Sequence, residues 1–101
     1  MKGVIIQEKI DKNEQLIIEL GCGPNKKQED SIGIDCIDMK GVDIIHNLET
    51  PLSFIPDNSI DKVSSSHLLE HINNLEMILS EIHRILKPEG THEAIVPHFS
   101  N

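Results

Sequence analysis

Residues 16–25 read LIIELGCGPN. A β-branched, apolar run from Leu16 to Leu20 stops abruptly at two glycines spaced by one residue. The run predicts a strand covered on both faces, and Gly21-Cys22-Gly23-Pro24 predicts a sharp turn at its tip. Glycines in that turn let the main chain bend tightly and meet a ligand with no Cβ in between. Taken alone, the same residues also describe an ordinary Gly-rich turn. The downstream residues decide between the two.

Ser31-Ile32-Gly33-Ile34-Asp35-Cys36 predicts a second strand that ends in a carboxylate. Asp35 stands where such a group accepts hydrogen bonds from ribose hydroxyls. The dinucleotide fingerprint G-x-G-x-x-G would need glycine at position 26, which is Lys26. A pyrophosphate is therefore disfavoured, and a nucleoside without phosphates suits the loop better.

Further strands are predicted at 42–46, at 60–65 behind the turn Pro56-Asp57-Asn58-Ser59, and at 92–96 before Pro97. One segment is strongly helical in period, from about Glu70 to Leu86. Ile72, Leu75, Ile78, Leu79, Ile82, Ile85 and Leu86 form its apolar stripe, and Lys87-Pro88-Glu89-Gly90 stops it. Short apolar strands separated by crossovers imply a parallel sheet with covered faces. Only eleven residues separate Leu20 from Ile32, so the first crossover holds a helix of one or two turns, or a loop.

The chain has 101 residues, room for one domain and one modest core. Met1 to Gln15 read as an arm ahead of a domain at 16–101. Within the arm, Val4-Ile5-Ile6 is either an extra edge strand or a docked segment. The net charge of −8, with no basic cluster, repels phosphate backbones and argues against nonspecific nucleic-acid binding. Phe54 and Phe99 are the only aromatic residues, too few for a base-stacking platform. Two cysteines, Cys22 and Cys36, do not make a disulfide scaffold. The first fifteen residues carry no long apolar core of a signal peptide, and no apolar run approaches the ~20 residues of a membrane span. The composition reads as a soluble, reduced, cytoplasmic protein.

The stretches LIIELGCGPNKK, SIGIDCID, VDIIHNLETPLSFIPDNSIDKVSSSHLLEHI and LSEIHRILKPEGTHEAIVPHFSN occur in this order across residues 16–101. Together they resemble the N-terminal, cofactor-binding part of a class I S-adenosylmethionine-dependent methyltransferase, of the methyltransferase domain 11 type. The resemblance implies an α/β, Rossmann-like three-layer sandwich with a mostly parallel sheet of about five strands. The family's sheet runs 3-2-1-4-5-7-6, and its strands 6 and 7 are lacking here. It also implies roles by position. Glu19, Gly21, Cys22 and Gly23 face the methionine part of S-adenosyl-L-methionine. Asp35 holds the ribose, and Cys36 and Ile37 line the adenine pocket. Asn47-Leu48 replace the usual Asp-Leu at the adenine edge. Ser66 and His67 follow the fourth strand beside the methyl group and the acceptor, and His98 follows the fifth strand on the same edge of the sheet.

The implied activity is methyl transfer to an unidentified acceptor, with His67 or His98 as base where the acceptor must lose a proton. The alternative is a truncated binding or assembly module without turnover. In either case a second copy or a partner chain is expected to cover the fifth strand's edge. A third reading comes from His67-Leu68-Leu69-Glu70-His71, which fits the zinc-peptidase pattern H-x-x-E-H. A small zinc hydrolase would need a third ligand, and Glu81, Glu93 and His98 are its only evident candidates, so no metal site is assigned. By helical phase His71 falls on the apolar stripe, which predicts a packed histidine.

Overall fold

A computed structural model describes residues 3–22, 30–66, 68 and 71–95. Five parallel strands form one sheet: β1 Ile17–Leu20, β2 Ile32–Asp35, β3 Ile44–Ile45, β4 Ile60–Ser66 and β5 Leu86–Ile95. Their order is β3-β2-β1-β4-β5, as expected from the sequence. Among the described residues two helices accompany them, α1 Val4–Asp11 and α2 Leu75–Ile85. The first crossover and any layer it supplies fall largely on residues 23–29, outside the described residues.

Central position explains the composition of β1. All four of its residues are buried, Glu19 included. Ile18 and Leu20 join Ile32, Ile34 and Val63 in the main core, against Ile78, Ile82 and Ile85 of α2. Those three isoleucines are fully buried, and each contributes roughly 1.5–3 kcal/mol by leaving water. The predicted stripe was broader. Leu75 and Leu79 are each 39% exposed and lie on the flank of the helix.

Helix α2 is also shorter than its periodicity predicts. Its N-cap Asn74 has non-helical φ −101° and ψ 66°. The N–H groups of Asn73 and Asn74 donate to the Glu49 carboxylate at 2.9 and 3.0 Å. A carboxylate from the β3–β4 connection thus terminates the helix, and residues before Asn74 take another path. At the other end Leu86 is already extended, and β5 begins there.

The segment Lys87-Pro88-Glu89-Gly90 is a bulge inside β5. Ile60 pairs with Leu86 and Lys62 with Thr91, so Asp61 alone stands opposite residues 87–90. A Cβ at Gly90 would lie 3.0 Å from the Lys87 carbonyl oxygen and 3.1 Å from that of Ile60, which leaves room for glycine only. Beyond the bulge, Thr91, Glu93 and Ala94 are exposed. Position at the edge of the described sheet accounts for the polarity of this strand.

The arm is a helix, and no edge strand forms at Val4-Ile5-Ile6. Ile6 is fully buried in the main core, with Ile5 and Ile10 packed beside it. The chain between β3 and β4 is tied to α2 by Arg84. Its guanidinium donates to the Leu52 and Ile55 carbonyls, both at 2.9 Å, to Asp57 at 2.6 Å and to Glu81 at 2.9 and 3.0 Å. Glu81 in turn accepts the Leu52 N–H at 2.7 Å. Among the described residues no helix is long and apolar enough to cross a membrane.

Candidate functional site

Strand order reverses at β1: β2 and β3 lie to one side, β4 and β5 to the other. In open α/β sheets such a switch point, at the carboxyl ends of the strands, is where ligands bind. Gly21 leaves β1 there with φ +67°, a left-handed conformation, and its N–H donates to the Ile34 carbonyl at 2.8 Å. A Cβ at Gly21 would lie 3.1 Å from Leu68 Cδ1, so the bare main chain after β1 packs directly on the segment after β4.

Beside this contact opens a pocket of ≈ 170 Å³. Asp35 and Cys36 enter it from the end of β2, Asn47, Leu48 and Glu49 from the chain after β3, and Leu68, His71 and Ile72 from the chain after β4. Three strand ends therefore converge on one cavity. The Asp35 carboxylate accepts the Cys36 N–H at 2.7 Å, which fixes it at the end of its strand. Leu48 is buried, and Leu68 and Ile72 pack on the core, so the lining mixes aliphatic and polar side chains.

Asn47 shapes the loop. Its side-chain oxygen accepts the Glu49 N–H at 3.0 Å, and its backbone carbonyl accepts the Thr50 N–H at 3.0 Å and the Thr50 hydroxyl at 2.6 Å. Glu49 spans the cavity rim and reaches the N–H groups of Asn73 and Asn74. Those two bonds hold its carboxyl below the usual range, against a smaller opposing effect of burial.

The other expected site residues divide. Glu19 is buried in the sheet, where it accepts the Ser31 hydroxyl at 2.6 Å. Cys22 is half-buried with Sγ 3.8 Å from the Gly41 carbonyl, and Cys36 is exposed; neither forms a disulfide. Ile37 is 58% exposed and does not line the pocket. Gly23, His67 and His98, and the side chain of Ser66, lie outside the described residues. Among the described residues no three His, Cys, Asp or Glu side chains gather as a metal site.

His71 departs from the packed position its helical phase predicts. It precedes α2 by four residues, is exposed and borders the cavity. Extending the phase of α2 backward fails because the helix ends at Asn74. Glu49, Leu68 and Ile72 were not among the site residues expected from sequence. For Glu49 the available signal was a carboxylate two residues beyond the predicted adenine-edge position.

Comparison with known proteins gives two findings. The family model of the methyltransferase domain matches residues 18–93. A crystal structure of a Methanococcus maripaludis protein, provisionally described as an S-adenosyl-L-methionine-dependent methyltransferase, superposes with a TM-score of 0.59 at 19% identity. The match covers 92% of this chain and 55% of that one, so this chain spans about half the length of its neighbour. No curated protein matches the sequence.

Proposed function

This chain belongs to the methyltransferase-domain family, and from that premise we propose that it binds S-adenosyl-L-methionine and takes part in methyl transfer. Family membership and the neighbour's fold support that cofactor. The observation that carries the reading is the cavity at the strand switch, lined by the polar Asp35, Asn47 and Glu49 together with the apolar Leu48, Leu68 and Ile72. Such a lining suits a nucleoside: hydroxyls and base edge on the polar side chains, base faces on the aliphatic ones. At ≈ 170 Å³ it is smaller than the roughly 300–1,000 Å³ of pockets that enclose a whole drug-sized ligand. It accounts for the nucleoside end only. The methionine end would run toward the turn at Gly21, whose missing Cβ lets Leu68 close against the main chain.

When bound, this cofactor supplies an electrophilic methyl group on a cationic sulfur, which departs as a neutral thioether. The chain's own residues bind and orient. Asp35 would accept from the ribose hydroxyls; Leu48, Leu68 and Ile72 would hold the base and exclude water; Gly21 would let Leu68 seat against the strand's tip. The protein's contribution is positioning of two reactants, with little covalent work. His67 and His98, which follow β4 and β5 in sequence, are our candidates for taking a proton from an acceptor that must lose one.

Binding and turnover are tested separately. Calorimetry with S-adenosylhomocysteine is expected to show one site, weakened in Asp35→Ala by roughly 1–3 kcal/mol. Absence of binding, or an unchanged affinity in Asp35→Ala, sinks the assignment. Transfer of labelled methyl to a panel of acceptors separates an enzyme from a binding module without turnover.

A further inference from the structure

We propose that Glu49 is a positioning residue that sets how long the cofactor stays bound: its carboxylate clasps two walls of the pocket together without touching the ligand. The inference rests on reading that pocket as the nucleoside site.

The two walls come from segments distant in sequence. Asn47, Leu48 and Glu49 form one, and Leu68, His71 and Ile72 form the other. β3 ends at Ile45, β4 ends at Ser66 and α2 begins at Leu75. Both walls are therefore connecting chain, outside the strand ladders and the long helix. Glu49 bridges them. One of its oxygens accepts the Asn73 N–H at 2.9 Å, and the other accepts the Asn74 N–H at 3.0 Å. Asn73 directly follows Ile72, so the clasp acts one residue from the pocket's lining. Two bonds from one planar carboxylate fix direction as well as distance. They also keep Glu49 ionised at neutral pH, so both oxygens stay acceptors.

The clasp opens at small cost. Asn73 and Asn74 are exposed, and water competes for the same N–H groups. The far end of α2 is fastened more firmly, by the part-buried bonds of Arg84 and Glu81 to the 52–55 backbone. A ligand lying between the walls binds the clasped state more tightly than the open one. By linkage it favours the clasp by the same factor.

The test compares wild type with Glu49→Ala, Glu49→Gln and Arg84→Lys. Surface plasmon resonance follows release of S-adenosylhomocysteine. Nuclear magnetic resonance follows amide-proton exchange at Asn73 and Asn74 with and without that ligand, and urea unfolding checks each fold. Glu49→Ala is expected to release the ligand about three- to tenfold faster, the range for two exposed charged contacts, with association little changed. Glu49→Gln keeps one acceptor oxygen and is expected to recover part of the loss. Arg84→Lys loosens the far end of α2 and is expected to change the release rate by less than about twofold. In wild type, saturating ligand is expected to slow exchange at Asn73 and Asn74 by about the same three- to tenfold.

An unchanged release rate in Glu49→Ala overturns the proposal. So does an equal acceleration in Arg84→Lys, which assigns the effect to general loosening of α2. Exchange at Asn73 and Asn74 that ignores the ligand overturns it even if Glu49→Ala does not fold. Each of these results leaves the nucleoside site standing. Failure of wild type to bind S-adenosylhomocysteine removes both.

Discussion

Replacing Gly21 with alanine places a Cβ where the fold leaves bare backbone, and its cost has two parts. The first is conformational. At φ +67° an L-residue suffers the left-handed clash of Cβ with carbonyl oxygen, about 1–2 kcal/mol. The second is steric. The new Cβ meets Leu68 Cδ1 at 3.1 Å and Leu68 Cβ at 3.3 Å. Cδ1 can swing aside, but Cβ is fixed to the main chain, and pushing Leu68 off its rotamer adds on the order of 0.5–1.5 kcal/mol. The sum, about 1.5–3.5 kcal/mol, compares with roughly 5–15 kcal/mol of stability for an ordinary domain. Gly21→Ala therefore folds, with a Tm lower by roughly 6–28 °C. Leu68 is also a wall of the pocket, so its displacement is expected to weaken S-adenosylhomocysteine by about tenfold or more, 1.4 kcal/mol. Urea unfolding with an unchanged m-value and calorimetry on the same preparations measure both. Gly21→Asn isolates the parts. Asparagine tolerates the left-handed region but carries the same Cβ, so it should recover the conformational part of the stability and not the affinity. A Gly21→Ala variant within about 0.5 kcal/mol of wild type, with unchanged affinity, would refute the account.

Arg84→Lys should destabilise by about 2–3 kcal/mol, because an ammonium cannot satisfy the Leu52 and Ile55 carbonyls and both carboxylates at once; a loss under about 0.5 kcal/mol in urea would contradict the network. Acid should weaken the fold. For Asp61 burial works against ionisation, but the Leu16 N–H and the Lys87 ammonium outweigh it; for Glu81 the Arg84 hydrogen bond dominates. Both carboxyls are therefore held below their ordinary values of 3.8 and 4.5. A lowered folded pKa means stability present above the unfolded value and lost as pH falls through the folded one, and Asp61→Asn should flatten that part of the curve. His92, 3.2 Å from the Ser65 hydroxyl, is pushed below its ordinary 6.5 by burial. The fold holds it neutral, so its contribution is complete above pH 6.5 and falls as pH drops from there; unfolding midpoints that do not move between pH 7.5 and 5.5 beyond the change in His92→Gln would remove it.

Local chemistry in the sequence determined a good deal of this protein. The apolar run before Gly21 specifies a strand buried on both faces. The shared hydrophobic character of 32–34, 44–45 and 60–63 specifies its neighbours, and Gly21 specifies where the first strand ends. Such features rest on side-chain period and backbone freedom, which are legible residue by residue. Other features depended on what a residue meets across the fold. Periodicity ran α2 back to Glu70, but the Glu49 carboxylate, distant in sequence, captures two N–H groups and starts the helix at Leu75. The same contact moved His71 from the core to the pocket rim, and the Asn47 side-chain oxygen took up the Glu49 N–H. A hydrogen bond has few donors and acceptors to distribute, and only the tertiary structure decides which partner takes them.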